Sequence, residues 1–311
     1  MDALQLIIIG IPTYLRTKGL RRLLDGVADL TIPEKSRIEV LVVDNDPLNS
    51  GKGVVEEFVR ATNFACSYLS EPRRGISHVR NRLLDFALEQ NAEFLAFIDD
   101  DEVPRQDWLG NLMVTQRELQ AAIVGGPVIR VFPSGTPAWY SRICFFEARR
   151  EPTGLTRKSI DTGNSLLHLR DIRRLGLRFD ESLSLSGGED MFFSRQALQR
   201  GAVLVWAADA EVFEYVTASR LTRRWIIKRA FRSGCVTAVI DRKIHPWWLT
   251  WGRNLGKALL YFLAGGVKLL FCFFGNADKR YTPFIFWARG AGFLVGLAGF
   301  NYQEYRSPTG D

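Results

Sequence analysis

Four consecutive acids, Asp99-Asp100-Asp101-Glu102, follow the apolar run Phe94–Ile98, and Pro104 comes at once after them. Carboxylate oxygens in such number are natural ligands for Mg2+ or Mn2+, which can hold a diphosphate. The plainer reading is a solvated acidic turn whose charges favour the start of the next helix. A second constellation, Gly187-Gly188-Glu189-Asp190, lies about ninety residues on. Its glycines let the backbone approach a ligand closely. Its acids either open a helix and favour its dipole, or supply a general base. Inverting sugar transfer needs one carboxylate to take the proton of an acceptor hydroxyl. It also needs metal and cationic groups to stabilise the departing nucleoside diphosphate. One acidic cluster for the metal and another, on a different element, for the base would meet both needs.

The elements that must carry these residues alternate. Apolar runs at Leu4–Ile11, Ile38–Val43 and Phe94–Ile98 have the composition of buried strands, and Cys66–Leu69 reads as a short strand. Between them, Lys18–Leu30, Gly53–Thr62 and Ile76–Asn91 have helical spacing. This order predicts an α/β fold with a mostly parallel sheet and right-handed crossovers. Thr13, Asp44 and Asp99 each lie just past a strand, so all three should meet at the sheet edge where such folds bind ligands. A buried carboxylate there can accept from a uracil-like base or from ribose hydroxyls. No GxGxxG follows the first strand and no GxxxxGK[ST] occurs, which excludes a dinucleotide fingerprint and a P-loop. Without a glycine cradle the phosphates need a metal.

Farther along, Pro104 should open a helix reaching about Gln120. Ala122–Phe132 should be one strand, Pro133–Arg150 a surface excursion, and Ile160–Leu167 a strand with a polar kink. Met191–Arg200 is helical in pattern, and Val203–Trp206 and Val212–Val216 close the domain as short strands. The four cysteines have no CxxC spacing, so neither a zinc site nor a disulfide framework is indicated. Leu4–Ile11 has no basic start and runs into Pro12-Thr13, unlike a signal peptide. The catalytic part is therefore expected in the cytoplasm.

The chain resembles family 2 glycosyltransferases of the GT-A fold, most of all those of the exopolysaccharide, succinoglycan type. The resemblance rests on six segments in order: Pro12-Thr13, Val42–Asn45, Arg74–Asn81, Phe97–Asp101, Pro104 with Trp108-Leu109, and Gly188–Asp190. It covers about residues 4 to 230. It implies a metal-dependent, inverting hexosyltransferase acting on a nucleotide sugar, with UDP as the expected carrier. Asp44 would contact the base, Asp99 the ribose and Asp101 the metal. Asp190 would be the catalytic base. Thr13, Asp100, Gly188 and Glu189 complete the expected donor site. Arg80 is either a basic group near the nucleotide or a helix-surface charge. Asn164 lines the sugar pocket or serves as a turn residue. His78 departs from the small residue more usual there. Arg224-Trp225 resembles the QxxRW motif of processive members without its Gln, which favours single-sugar addition. That pair either contributes a cation to the leaving diphosphate or merely starts an amphipathic helix.

The total charge is +7, but residues from Val216 onward carry 15 Lys/Arg against 4 Asp/Glu, a balance of +11 that leaves −4 for the rest. Two domains are expected: a GT-A catalytic domain at 1–218 and a basic, apolar helical region at 219–311. Leu255–Phe274 is long enough to span a bilayer. Arg253, Lys257 and Lys268 recur at whole helical turns, however, which predicts a basic stripe on an interfacial helix. Phe284–Phe300 is a second apolar piece, interrupted by Arg289 and four glycines. Interfacial or re-entrant anchoring, a transmembrane hairpin and a soluble helical cap are the three forms open to it. The expected location is the cytoplasmic face of the inner membrane. The expected partners are an anionic membrane surface and a lipid-linked saccharide acceptor; the apolar character argues against nucleic acid. A polyprenyl-phosphate sugar synthase of the same fold and a non-catalytic membrane scaffold are the rival functions.

Overall fold

The long apolar runs of the first half form strands buried on both faces, because a parallel sheet is covered by helices on both sides, while the strand at the sheet's edge, from Ala65 to Ser70, is only partly buried. In a computed structural model, which describes residues 4–272 and 277–303, they are β1 (Gln5–Thr13), β2 (Ser36–Asp44), β3 (Ala65–Ser70) and β4 (Phe94–Ile98). They lie parallel in the order β3-β2-β1-β4. Strand alternation divides the core. Ile7, Ile9 and Ile11 meet Leu20 and Leu24 of α1 (Thr17–Ala28) and Val55 and Phe58 of α2 (Lys52–Ala61). Ile8 and Leu41 turn to the other face, toward Val79, Leu83 and Leu84 of α3 (Ile76–Glu89).

The second half is less regular, and several elements differ from expectation. Pro104 does not open a helix. It ends β5 (Glu102–Pro104), opposite Val212, on the edge of a second sheet, and α4 begins only at Trp108 (Trp108–Leu119). An edge strand tolerates proline because its missing N–H would face outward. The single strand expected at Ala122–Phe132 breaks into β6 (Ile123–Gly125) and β7 (Val128–Val131), which enter different sheets. The break falls at Gly126, where a Cβ would lie 2.2 Å from the Ala210 carbonyl oxygen. β8 (Asn164–His168) runs antiparallel between β4 and β6. It is followed by α5 (Leu169–Arg174), α6 (Glu189–Gln199) and β9 (Leu204–Trp206), which pairs with β6 at the sheet's edge. β10 (Val212–Tyr215) is the centre of the second sheet, ordered β5-β10-β7. The segment 133–150 is no free excursion. Ile143 and Phe146 are buried with Ile226, and the Tyr140 hydroxyl donates to the Leu221 carbonyl at 2.7 Å.

Three helices follow: α7 (Arg223–Ile244), α8 (Trp247–Cys272) and α9 (Ala277–Leu297). α9 lies between the other two. Its glycines explain how. A Cβ on Gly292 would sit 2.0 Å from the Phe231 carbonyl oxygen, and one on Gly296 would sit 2.4 Å from that of Cys235. Two of the four glycines predicted to interrupt an apolar segment are thus where α7 closes against it, and Gly290 faces Ala258 and Phe262 of α8. Among the described residues no helix is long and apolar enough to cross a membrane. The end of the predicted apolar run at Phe273-Phe274, and residues 304–311 of the predicted second domain, lie outside the described residues.

Candidate active site

The ends of β1 and β2 are in register, Thr13 opposite Asp44. Asp44 is wholly buried. It accepts from the backbone N–H of Asp46 and of Gly51, each at 2.8 Å, and from the Tyr68 hydroxyl at 2.8 Å. It therefore orders the loop into α2, with three of its roughly four acceptor positions used. Burial and the bond to Asp44 push the Tyr68 phenol well above its ordinary pKa, so it remains a donor. Asn45 secures the neighbouring turn. Its amide donates to the carbonyls of Glu71 and Arg73, and its oxygen accepts from Gly75 N–H at 2.8 Å.

The acid run divides by direction. Asp100 turns inward, accepting from the Thr13 hydroxyl at 2.9 Å and from Arg16 at 2.9 Å. Burial pushes its carboxyl up to about 7, against the pull of Arg16. Asp101 Oδ2 lies between two guanidiniums, Arg16 at 3.0 Å and Arg220 at 2.8 Å. Burial would raise its pKa, but these cations overcome it and hold the carboxyl below the usual range. Arg220 also bonds Glu214 at 2.7 Å. Glu102 is not a solvated helix-start acid. It is buried in β5, and burial beside Asp99, Asp101 and Glu214 raises its pKa well above the carboxylate range. Gly163 leaves room for this group, since a Cβ there would come within 2.8 Å of Glu102 Oε1 and 3.1 Å of Asp99 Oδ2.

Arg80 joins this cluster to the second one. From the buried side of α3 its guanidinium bonds Glu189 and reaches Asp99 at 3.3 Å. It is no helix-surface charge. Asp190, next to Glu189 in the first turn of α6, is half-buried. Its Oδ1 accepts from the Met191 N–H at 2.6 Å. Burial, with Glu189 and Asp161 as negative neighbours, pushes its carboxyl up to about 7 despite Arg80. Gly187 and Gly188 have φ of 75° and 86°, a region that favours glycine. What comes close to Gly188 is part of the protein: a Cβ there would lie 2.2 Å from Val236 Cγ1 of α7.

Two of the predicted donor residues lie elsewhere. Trp225 stacks on Phe146 with ring centroids 5.7 Å apart, and Arg224 is exposed at the start of α7. Asn164 is neither a turn residue nor open to a ligand. It starts β8, accepts from the Trp108 indole N–H at 2.7 Å and donates to the carbonyls of Pro127 and Ala210. It thereby ties α4 to the crossover between the two sheets. Arg16, Arg220 and Glu214 were not expected in the site. Arg16 lies three residues past Thr13, a position that could have suggested it; no sequence signal marks Arg220 or Glu214.

Among the described residues no three His, Cys, Asp or Glu side chains gather to hold an ion by themselves. Mg2+ and Mn2+ sites at diphosphates need only one or two carboxylates, the phosphates and water completing the shell. Asp101, which Arg220 and Arg16 hold ionised, supplies one such carboxylate, and Asp99, whose carboxyl burial raises above its ordinary pKa, supplies a second when deprotonated.

The model of the family described as "Glycosyl transferase family 2" matches residues 8–176. The chain is 33% identical over 303 residues to the succinoglycan biosynthesis protein ExoM of Rhizobium meliloti, covering 95% of this chain and 94% of that one. The mannosyltransferase PcManGT from Pyrobaculum calidifontis, solved in complex with GDP-Man and Mn2+, superposes with a TM-score of 0.59 at 19% identity, over 94% of this chain and 86% of its own. Residues 1–349 of S. aureus TarS, solved in complex with UDP, superpose with a TM-score of 0.51 at 16% identity, over 96% and 93%. These likenesses fix the architecture as a GT-A-like α/β fold with a mostly parallel central sheet.

Proposed function

The chain belongs to glycosyl transferase family 2, and on that premise we propose that this glycosyltransferase moves a hexose, with inversion, from a UDP-sugar to a lipid-linked oligosaccharide in polysaccharide biosynthesis. The observation that carries this reading is Arg80, whose single guanidinium touches both Asp99 and Glu189 and so ties the turn of the acid run to the first turn of α6, which carries Asp190. Asp190 takes the proton of the acceptor hydroxyl as that oxygen attacks the anomeric carbon. Its raised pKa makes it a stronger base than an exposed carboxylate while leaving it ionised above neutrality. The diphosphate leaves toward Arg220 and Arg16, which already flank Asp101. Asp101, with Asp99, would hold Mg2+ or Mn2+, which when bound neutralises charge on the diphosphate oxygens. The nucleobase lies over the loops that follow β1 and β2, whose shape Thr13, Asp44 and Asn45 maintain.

The ExoM likeness over nearly the full length of both chains supports the polysaccharide role, and the neighbours with UDP and GDP-Man support a nucleotide-sugar donor. The basic, apolar tail supports work at the cytoplasmic face of an anionic inner membrane, where a lipid-linked acceptor resides.

The test is nucleoside diphosphate release from UDP-sugars in the presence of lipid extract. Asp190→Asn should lower kcat by at least about 100-fold with donor KM nearly unchanged. The wild-type kcat should rise with pH through about 7 and level off above it, because the base works ionised. Near-normal transfer by a folded Asp190→Asn enzyme would remove Asp190 from the base role. It would also favour a lipid phosphate as acceptor, since a phosphate needs little help from a base.

A further inference from the structure

The three C-terminal helices are apolar for different reasons. α9 is enclosed between α7 and α8, so its composition is explained by packing within the protein. Phe293 and Leu297 are buried in that contact. α8 has a similar buried stripe, Thr250, Asn254, Ala258 and Gly265, which meets the rest of the molecule. Its opposite side has no such explanation. Trp248 is 61% exposed, Leu259 59%, Leu263 58% and Leu270 69%, and Trp251, Leu255 and Val267 are also exposed.

At 100° per residue these side chains fall within an arc of about 180°, about 33 Å long from Trp248 to Leu270. Only glycines interrupt it, Gly252, Gly256 and Gly266, and it contains no charge. The basic residues of α8 lie outside it. Lys257 turns inward to Asp241 at 2.8 Å, Arg253 contacts His245 Nε2 at 2.9 Å, and Lys268 lies over the Phe286 ring at 5.1 Å. The side that sequence spacing marks as a basic stripe is therefore the one turned toward the protein and the arc's border, and the apolar side faces out.

We propose that α8 lies in the plane of an anionic leaflet, with the arc from Trp248 to Leu270 sunk among the acyl chains; this rests on the reading that the enzyme meets its acceptor at a membrane. Three observations select a bilayer as the occupant. The arc is a long, uncharged half-cylinder, which fits the depth of a headgroup boundary. Trp247, Trp248 and Trp251 cluster at one end, where amphipathic rings suit the lipid–water interface. The surrounding region carries the +11 balance, complementary to anionic headgroups. A spanning arrangement does not fit, since no described helix is long and apolar enough to cross.

The test is co-sedimentation of the full chain with phosphatidylcholine vesicles, with and without 30% phosphatidylglycerol, alongside diphosphate release from a UDP-sugar. The wild type should bind the anionic vesicles, more weakly at high salt, and the neutral ones at least about tenfold less. The triple variant Trp248→Ser/Leu259→Ser/Leu263→Ser alters only exposed side chains. It should lose at least about tenfold in vesicle binding, while Leu119→Ser, exposed on α4, should bind as the wild type does. Equal binding by the triple variant, equal binding to both vesicle types, or no binding by the wild type would each overturn the proposal. So would a wild-type dimer that fails to bind vesicles and is dissociated by the triple variant, because a second copy would then cover the arc. Vesicle binding without diphosphate release from any UDP-sugar, lipid extract being added as the source of acceptor, would instead count against the proposed donor and acceptor and leave the seat of α8 standing.

Discussion

Arg220 and Arg224 lie one helical turn apart in sequence and have different surroundings. Arg220 is held at 2.8 Å from Asp101 and at 2.7 Å from Glu214, on the side to which the proposed mechanism sends the diphosphate. Arg224 is exposed. A charge-assisted donor that stabilises a leaving anion typically contributes on the order of 100-fold in rate. Arg220→Ala should therefore lower kcat by about 100-fold, and Arg224→Ala should stay within about threefold. Steady-state diphosphate release checks both, and equal effects of the two variants would oppose the assignment. The acids were legible because their types and spacing announce chemistry before any fold is known. Arg220 was not legible, because it meets Asp101 across 119 positions of sequence, and only the pairing of β10 with β5 brings the segment after β10 back to the acid run. The Arg-Trp pair drew attention by its resemblance to a motif, but Trp225 packs on Phe146 instead.

At the scale of elements, β1, β2 and β4 were legible because apolar runs buried on both faces leave an unambiguous pattern, and the half-buried edge strand β3 was legible from its place between two helical segments. The second half was less so. β5 and β6 have only three residues each, too few for periodicity to register, although β9 and β10 were read close to their places, and β8 reverses direction for reasons that lie in its neighbours. Glycines carried a signal whose meaning only packing supplies. In α9 they look like helix breakers, yet Gly292 is where α7 comes closest. Gly292→Val would drive a side chain into the Phe231 carbonyl, an overpacking that costs about 2–3 kcal/mol. Gly256 of α8 has nothing within 4 Å of the place a Cβ would take, so Gly256→Ala should stabilise by about 0.5–1 kcal/mol through helix propensity alone. Thermal denaturation should thus shift in opposite directions for two substitutions of the same residue type, downward for the first and upward for the second. A rise in both would mean that α7 and α9 are not packed this closely, and a fall in both would mean that Gly256 does not gain from helix propensity as argued.

At the scale of the whole molecule, one buried carboxylate is among the contacts that join the catalytic domain to the helical tail. Asp241 of α7 is wholly buried. It pairs with Arg195 of α6 at 3.1 Å and Lys257 of α8 at 2.8 Å, and accepts from the Asn254 amide at 3.2 Å. α6 is also the helix that carries Asp190, so this joint links the proposed base to the proposed membrane seat. Burial would raise the Asp241 pKa, but Lys257, Asn254 and Arg195 together hold it below the ordinary carboxylate range. A depressed carboxyl contributes stability in full above its unfolded-state pKa, about 3.9, and loses it as pH falls through the folded value. The joint should therefore be intact at neutral pH and weaken only below about pH 4. Asp241→Ala leaves two cations without their partner. Both are a quarter to a third exposed, so the cost should sit near the lower end for a broken buried pair, about 3 kcal/mol. Hydrogen exchange should show faster opening of α8 in this variant while β1 and β4 keep their protection, because the sheet's core does not depend on the joint. Stability measured against pH should show the complementary effect: the loss below about pH 4 should be smaller in Asp241→Ala than in the wild type. An unchanged acid limb would remove Asp241 from this role.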